Sequence, residues 1–91
     1  MQIEYDPAKR DATLLHRGLD MADTAEVFLG MLVTVEDLRQ DYGETRFTTV
    51  SFLQNRMVVV IWTRRGPVRR IISLRKANAR EQAQFGPSLR S

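Results

Sequence analysis

The chain has 91 residues, 43% of them hydrophobic and 27% charged, which predicts one soluble globular domain over residues 1–91. The absence of cysteine excludes disulfides, thiolate metal sites and a cysteine nucleophile, and one histidine with scattered carboxylates gives no metal-ligand spacing. No apolar run approaches the roughly 20 residues that cross a bilayer, and the first residues carry no apolar block. We therefore expect a cytoplasmic protein that needs no membrane, metal or cofactor.

The net charge of +3 conceals an uneven distribution of charge along the chain. Residues 1–45 carry ten acidic and four basic side chains, whereas residues 46–91 carry ten basic side chains and a single acid, Glu81. Nine of those ten basic residues are arginine, whose planar guanidinium matches phosphate oxygens in pairs. This asymmetry indicates a polyanionic partner, and mutual neutralisation of the two halves is the alternative.

The first third of the chain predicts a short strand, Gln2–Tyr5, followed by two short helices. Asp6-Pro7 is typical of a helix start, and Gly18 of its end. Asp20 is typical of a second cap, and Gly30 ends the second helix. Residues at helical spacing predict one buried face on each helix: Ala8, Ala12 and Leu15 on the first, and Met21, Ala25 and Phe28 on the second.

The remainder of the chain predicts strands and one more helix. Met57–Thr63 is almost continuously apolar, as in a central strand that is buried on both faces. Asn78-x-x-Glu81 is typical of a capping box that opens a last short helix, and we expect Gly86-Pro87 to terminate it. The other predicted segments are the apolar run Met31–Val35, the strands Thr45–Leu53 and Val68–Leu74, and turns at Gln54-Asn55 and Arg65-Gly66-Pro67.

The order β-α-α-β-β-β-β-α predicts an α+β fold. We expect an antiparallel sheet of about four to five strands, packed on the two N-terminal helices, with a short C-terminal helix.

Several motifs of this sequence occur together in one known family. They include Tyr5-Asp6-Pro7-x-Lys9, Ala25-Glu26-Val27-Phe28, and the run from Arg70 to Glu81, RIISLRKANARE. Taken in order, they resemble the BrnT toxins of bacterial type II toxin–antitoxin systems, over about residues 3–86. The resemblance implies a compact RelE-like fold, a ribonuclease that cleaves mRNA and arrests translation, and a cognate BrnA antitoxin. It also implies a hetero-oligomer, expected as a dimer of toxin–antitoxin pairs, that binds promoter DNA only through the antitoxin.

The chain departs from the family pattern at three places. Thr13 stands where the family usually has asparagine. His16-Arg17-Gly18 stands where it commonly has Lys-His-Gly, so that Arg17 occupies the place of the histidine. Phe85 stands where the last helix often carries a tyrosine. These departures keep a second interpretation open, in which the chain is a non-catalytic nucleic-acid-binding or complex-forming module.

Metal-independent RNA cleavage needs a base for the 2′-hydroxyl, cations for the phosphorane and an acid for the leaving 5′-oxygen. From these requirements and the resemblance, the predicted catalytic residues are Lys9, His16, Arg46, Arg70 and Arg75. The predicted RNA-binding residues are Trp62, Arg64, Lys76 and Arg80. We expect one strand to deliver Arg70 and Arg75 to a single site, with free helix amides adding to the attraction for phosphate beside Lys76 and Arg80.

Each of these residues also has an ordinary structural interpretation. The arginines could flank a sheet edge, and Lys9 and His16 could be solvated surface residues. Core packing is the favoured interpretation of Trp62, with base stacking as the alternative. Glu81 is expected to cap its own helix, and Glu44 either pairs with an arginine such as Arg46 or acts as a base.

Overall fold

A five-stranded sheet organises the chain, as seen in a computed structural model that describes residues 2–90. The strands are β1 Gln2–Glu4, β2 Leu32–Glu36, β3 Arg46–Leu53, β4 Arg56–Arg65 and β5 Val68–Lys76. The helices are α1 Pro7–Arg17, α2 Thr24–Val27 and α3 Ala79–Arg90, and a 3-10 turn, Met21–Asp23, leads into α2. The predicted order of elements and the α+β class are confirmed.

The strands lie in the order β1-β5-β4-β3-β2. Strands β2 to β5 form an antiparallel meander, but β1 runs parallel to β5. The prediction of a wholly antiparallel sheet is therefore wrong for β1. The connection from β1 to β5 passes through α1, α2 and the other three strands. So long a connection allows the parallel direction that a tight hairpin forbids.

Both faces of the sheet are covered, and the central strand β4 supplies core residues to each. Val58, Val59 and Val60 are completely buried, as predicted for a strand with two buried faces. On one face, Val58, Val60 and Trp62 pack with residues from the α2 region, including Met21 and Phe28. On the other face, Met57 and Val59 pack with Val50 and with the C-terminal residues Ala77 and Leu89.

The helix α1 lies beside β5 and buries little of its own surface. β1 pairs only with Val68–Arg70, so no strand pairs with the rest of that edge of β5 among the described residues. There Arg17 Nη1 donates to the main-chain oxygen of Leu74 at 2.8 Å. Thr13 is the buried residue of α1, and the predicted buried face is wrong because Ala8, Ala12 and Leu15 are exposed. A helix set against a strand edge covers a narrower stripe than one lying across a sheet face.

Of two predicted boundaries in the second half of the chain, the turn at Gln54-Asn55 is confirmed and the helix end at Gly86-Pro87 is wrong. Gln54 and Asn55 have φ angles of 52° and 65°, which confirms the tight turn of the β3–β4 hairpin. Gly86-Pro87 does not end the last helix, since α3 continues to Arg90 with Pro87 inside it. Proline removes one main-chain donor there, and burial of Leu89 in the core holds the last turn in place.

No helix in the described part of the chain is long and apolar enough to cross a membrane.

An ion pair joins α1 to the segment that follows it. Arg10 donates from Nε and Nη2 to the two carboxylate oxygens of Asp20 at 2.7 and 2.9 Å, and the Ala22 amide also donates to Asp20 at 2.9 Å. These hydrogen bonds, that from Arg10 foremost, lower the pKa of Asp20 to about 2 from its ordinary 3.8. The carboxylate thus caps the 3-10 turn and also ties that turn to the N-terminal half of α1.

This pair predicts a specific dependence of stability on pH. Because the folded-state pKa of Asp20 is depressed, its contribution is complete above the ordinary pKa of 3.8 and is lost as the pH falls toward about 2. Asp20→Asn keeps an acceptor for the Ala22 amide but loses the charge. We expect urea unfolding to show a variant less stable than wild type at pH 6, with the difference shrinking between pH 4 and pH 2. A difference that stays constant across that range would contradict the role given to the Asp20 charge.

Candidate functional site

A cleft lies between α1 and the edge of β5. Its volume is about 570 Å³, and Lys9, Thr13 and His16 line it from α1 while Ile72 and Ser73 line it from β5. Residues 9, 13 and 16 are spaced i, i+4 and i+7, which places their side chains on one face of a helix. This spacing was visible in the sequence, although Thr13 was not predicted to line a site with the other two.

A second depression, of about 370 Å³, adjoins the cleft near the C-terminal ends of α1 and β5. It is lined by His16 and Arg17 from α1 and by Arg75 and Lys76 from β5. His16 is therefore shared by both depressions, and Arg17, which is bonded to the Leu74 oxygen, stands between α1 and β5. We call the two depressions together the α1–β5 cleft. It brings together three of the predicted catalytic residues, Lys9, His16 and Arg75.

The guanidinium of Arg75 is fixed by Glu81. Arg75 Nη1 and Nη2 donate to the two Glu81 oxygens at 2.7 and 2.9 Å. This bidentate hydrogen bond, partly opposed by burial, lowers the pKa of Glu81, and the donation from the Asn78 amide adds to the effect. A charge-assisted fork of this kind holds a guanidinium in one orientation. Arg75 therefore presents a rigid positive group beside His16.

The start of α3 has the predicted capping box. The Asn78 amide donates to Glu81 Oε1 at 2.9 Å, and the Glu81 amide donates to Asn78 Oδ1 at 2.8 Å. These two amides are thus already bonded, and a carboxylate lies beside them. The capping box therefore occupies two of the amides at this junction, and attraction of phosphate by the other amides of the first turn stays a prediction.

The other two predicted catalytic arginines lie together at the opposite end of β5. Arg46 and Arg70 both pair in register with Thr63 of β4, which lies between them. Arg46 Nε donates to Glu44 at 3.3 Å, so the predicted Glu44–Arg46 pair is confirmed. Arg70 Nη1 donates to Glu4 Oε1 at 3.3 Å. Each guanidinium is therefore held by one carboxylate.

Arg70 and Arg75 do not meet. They are five residues apart on β5, about 16 Å at the usual rise of a strand, and they bond to different carboxylates, Glu4 and Glu81. The expectation that one strand delivers both to a single site is wrong in this conformation. A strand displaces residues along its axis, so only residues from neighbouring elements converge.

The predicted RNA-binding residues are also dispersed. Trp62 is 3% exposed, and its Nε1 donates to Thr49 Oγ1 at 2.8 Å, as the core-packing interpretation requires. Its ring stacks on Phe47 and meets Phe28 edge-on. Arg64 is exposed near the C-terminal end of β4, Lys76 lines the cleft, and Arg80 is exposed on the first turn of α3.

Within residues 2–90, no three histidine or carboxylate side chains are grouped closely enough to hold a metal ion. The cationic groups that converge in the α1–β5 cleft could instead bind an anionic ligand directly. Lys9 lines the first depression, Arg75 lines the second, and the imidazole of His16 lines both.

A comparison with known protein families identifies the family of this chain. The family model described as "Ribonuclease toxin, BrnT, of type II toxin-antitoxin system" matches residues 5–81. The chain belongs to the BrnT family. A comparison with curated proteins found no match. The matched segment includes the cleft residues of α1 and β5, and membership of the family implies an antitoxin partner.

The departures from the BrnT pattern can now be placed in the structure. Thr13 is buried at the cleft wall, and Arg17, in the position of the family histidine, reaches the Leu74 oxygen. His16 keeps an imidazole in the cleft one position earlier. Phe85 packs with the core on the α3 side of the sheet. The structure thus retains a histidine in the cleft of this BrnT-family chain and gives Phe85 a packing role.

The Arg75–Glu81 bond gives a testable prediction about how the cleft is held. Glu81→Gln keeps an oxygen for the Asn78 amide but removes the charged fork, so we expect a loss of about 1 kcal/mol in the free energy of unfolding. Glu26→Gln, at an exposed acid on α2, is the matched control and should change stability by less than half as much. Urea unfolding of the single variants and of Glu81→Gln with Arg75→Gln completes a double-mutant cycle. Additive losses would show that the bond contributes no coupling.

Proposed function

We propose that this chain is a metal-independent endoribonuclease toxin that cleaves mRNA and arrests translation, with the α1–β5 cleft as its reaction site. The observation that carries the proposal is the convergence of Lys9, His16 and Arg75 on one cleft in a chain of a ribonuclease toxin family. The remaining features of the proposal follow from the chemistry of RNA cleavage and from the family.

The cleft supplies the kinds of group that 2′-hydroxyl attack on a phosphodiester requires. His16 is suited to removing the 2′-hydroxyl proton or to protonating the leaving 5′-oxygen. Lys9 and Arg75 stand at different parts of the cleft wall and can oppose the two negative charges of the phosphorane. Arg75 is orientated in advance by Glu81, so it costs little reorganisation when charge develops.

The second group of arginines serves the proposal in a different role. Arg46 lies on β3 and Arg70 near the start of β5, and neither of them lines the α1–β5 cleft. We assign to them contacts with the RNA chain outside the reaction site, together with Arg64, Lys76 and Arg80. Trp62 is assigned to the core.

The proposed partner is a BrnA-like antitoxin that covers the α1–β5 cleft. Acidic side chains of such an antitoxin would compete with phosphate for Lys9 and Arg75, and attraction between opposite charges would speed the association. We further propose a compact RelE-like fold, an assembly of two toxin–antitoxin pairs, and contact with promoter DNA only through the antitoxin. The α+β sheet and the type II family support these assignments.

One observation favours the second candidate function, a non-catalytic binding or complex-forming module. Phe85 carries no hydroxyl where relatives often have tyrosine, and it packs against the core. If a tyrosine transfers the proton in relatives, this chain keeps the binding cations but depends on His16 alone for that step.

The first prediction from the proposed function concerns metals. Because the cleft offers cations and an imidazole instead of grouped carboxylates, RNA cleavage should persist in excess EDTA. The products should end in 2′,3′-cyclic phosphate or 3′-phosphate, which mass spectrometry of a short oligonucleotide can identify. Cleavage that requires added magnesium and yields 5′-phosphate ends would contradict the mechanism.

The second prediction separates the cleft from the distant arginines. Arg75→Ala or His16→Ala should reduce single-turnover cleavage at saturating protein by roughly 100-fold, the scale of one preorganised group in a transition state. Arg75→Lys should restore only part of the rate, because an ammonium lacks the paired donors of a guanidinium.

Arg70→Ala is the matched control, since Arg70 lies on the same strand and is likewise bonded to one glutamate. It should raise the protein concentration needed for half-maximal cleavage and leave the saturated rate within a few-fold of wild type. Circular dichroism would verify that each variant folds. Equal, purely affinity-based losses at all three positions would favour the non-catalytic module.

A further inference from the structure

The end of the sheet at the β4–β5 hairpin has an arginine that no acid among the described residues neutralises. Five arginines of the described chain are partly buried: Arg10, Arg46, Arg69, Arg70 and Arg75. Four of them bond to a carboxylate, namely to Asp20, Glu44, Glu4 and Glu81. Arg69 is the exception, because among residues 2–90 no hydrogen bond or ion pair joins it to an acid.

Arg69 is instead held in place by aromatic rings. Its guanidinium carbon lies 4.3 Å from the ring centroid of Phe28 and 4.8 Å from that of Trp62. Both rings belong to the core cluster on the α2 side of the sheet, so their positions are fixed by packing. A guanidinium stacked in this way keeps its edge donors free for an external acceptor.

A second arginine directly opposes it. Arg64 pairs in register with Arg69 across β4 and β5, and its guanidinium carbon lies 5.8 Å from the Trp62 ring. Like charges opposite each other on neighbouring strands destabilise a sheet. Burial, and then the charge of Arg64, lowers the pKa of Arg69, so the pair carries an electrostatic cost in the free protein.

The nearby acids do not relieve that cost. Glu44 is shared between Arg46 and Arg65, and Glu4 is bonded to Arg70. The carboxylates at this end of the sheet are thus already engaged with neighbouring arginines. An anion from outside the chain is the group that would complete the pair.

We propose that Arg64 and Arg69, stacked on Trp62 and Phe28, form a binding site for a phosphodiester of the RNA chain, separate from the α1–β5 cleft. This site rests on the proposed function for the identity of its ligand. A phosphodiester offers two non-bridging oxygens, so Arg64 and Arg69 can each donate to one of them from neighbouring strands. Arg69 lies six residues from Arg75 on β5, about 20 Å at the usual rise of a strand. The site therefore holds RNA away from the bond that is cut and sets the position of the chain.

The test is a binding measurement that does not depend on cleavage. A fluorescent RNA oligonucleotide with 2′-O-methyl groups, which cannot be cleaved through the 2′-oxygen, is titrated with the purified chain at several salt concentrations. Arg69→Gln and Arg64→Gln should each weaken binding roughly tenfold and reduce the slope of log affinity against log salt by about one. Arg69→Lys should recover the salt slope but not the full affinity, because it keeps the charge and loses the stacked fork.

Arg56→Gln is the matched control, since Arg56 is an exposed arginine at the other end of β4 and loses the same charge. It should weaken binding by less than threefold. Trp62, the single tryptophan of the chain, gives a second readout. RNA should change its emission in wild type and in Arg56→Gln but not in Arg69→Gln.

The outcomes separate this site from the proposed function. If the variants bind RNA as tightly as wild type, the phosphodiester site is wrong, even where wild type cleaves RNA. If they lose only antitoxin binding, the ligand is an acidic side chain of the partner and the inference is overturned. If wild type fails to cleave any RNA but the variants show the predicted loss of binding, the site stands and the catalytic proposal fails.

Discussion

The structure depends on the difference in length between two neighbouring parallel strands. β1 has three residues and β5 has nine, so β1 covers only the first part of the β5 edge. An uncovered strand edge offers main-chain groups that need partners. Arg17 meets this need by donating to the Leu74 oxygen, which draws the end of α1 toward β5. The cleft is the space that remains where helix and strand edge meet without packing tightly.

Charge is organised around the same strand. The acidic first half of the chain partly neutralises the basic second half, through Glu4 with Arg70 and through Glu44 with Arg46 and Arg65. Neutralisation, one of the two alternatives set out from the sequence, is therefore present, and recognition of an anion by the remaining cations stays a proposal. An arginine that is paired with a carboxylate is held in one position and contributes less net positive potential. The charges of Arg69 and Lys76, by contrast, are not paired with an acid among the described residues. Specific recognition requires both kinds, since a field attracts a polyanion and rigid forks determine where it sits.

The two ends of β5 then have different capacities. At its C-terminal end, an imidazole and cations from two elements meet in a concave space. At its N-terminal end, cations lie on the sheet and on aromatic rings without a comparable histidine. Proton transfer needs an acid–base group within hydrogen-bond reach of the reacting atoms, whereas holding a nucleic acid needs only charge and donors. The proposed assignment of chemistry to one end and of RNA positioning to the other rests on that difference.

The sequence by itself determined the elements whose signals are local. The helix start at Asp6-Pro7, the turn at Gln54-Asn55 and the capping box Asn78–Glu81 each depend on a few adjacent residues. The central position of Met57–Thr63 followed from its continuous apolar character, and the family followed from ordered motifs. Of the five residues that the sequence predicted for one catalytic site, Lys9, His16 and Arg75 line the α1–β5 cleft and Arg46 and Arg70 do not, and their catalytic roles stay a prediction.

Only the tertiary structure decided which surfaces these elements share. The sequence predicted that β1 is short but could not reveal that it is parallel to β5, because strand pairing depends on residues far apart in the chain. For the same reason the buried face of α1 was mispredicted: a helix against a strand edge buries Thr13, and not its regularly spaced apolar side chains. The separation of Arg70 from Arg75, and the lack of a carboxylate beside Arg69, likewise depend on where Glu4, Glu44 and Glu81 arrive in space. Periodicity assigns a residue to a face, but the packing of distant segments determines what that face meets.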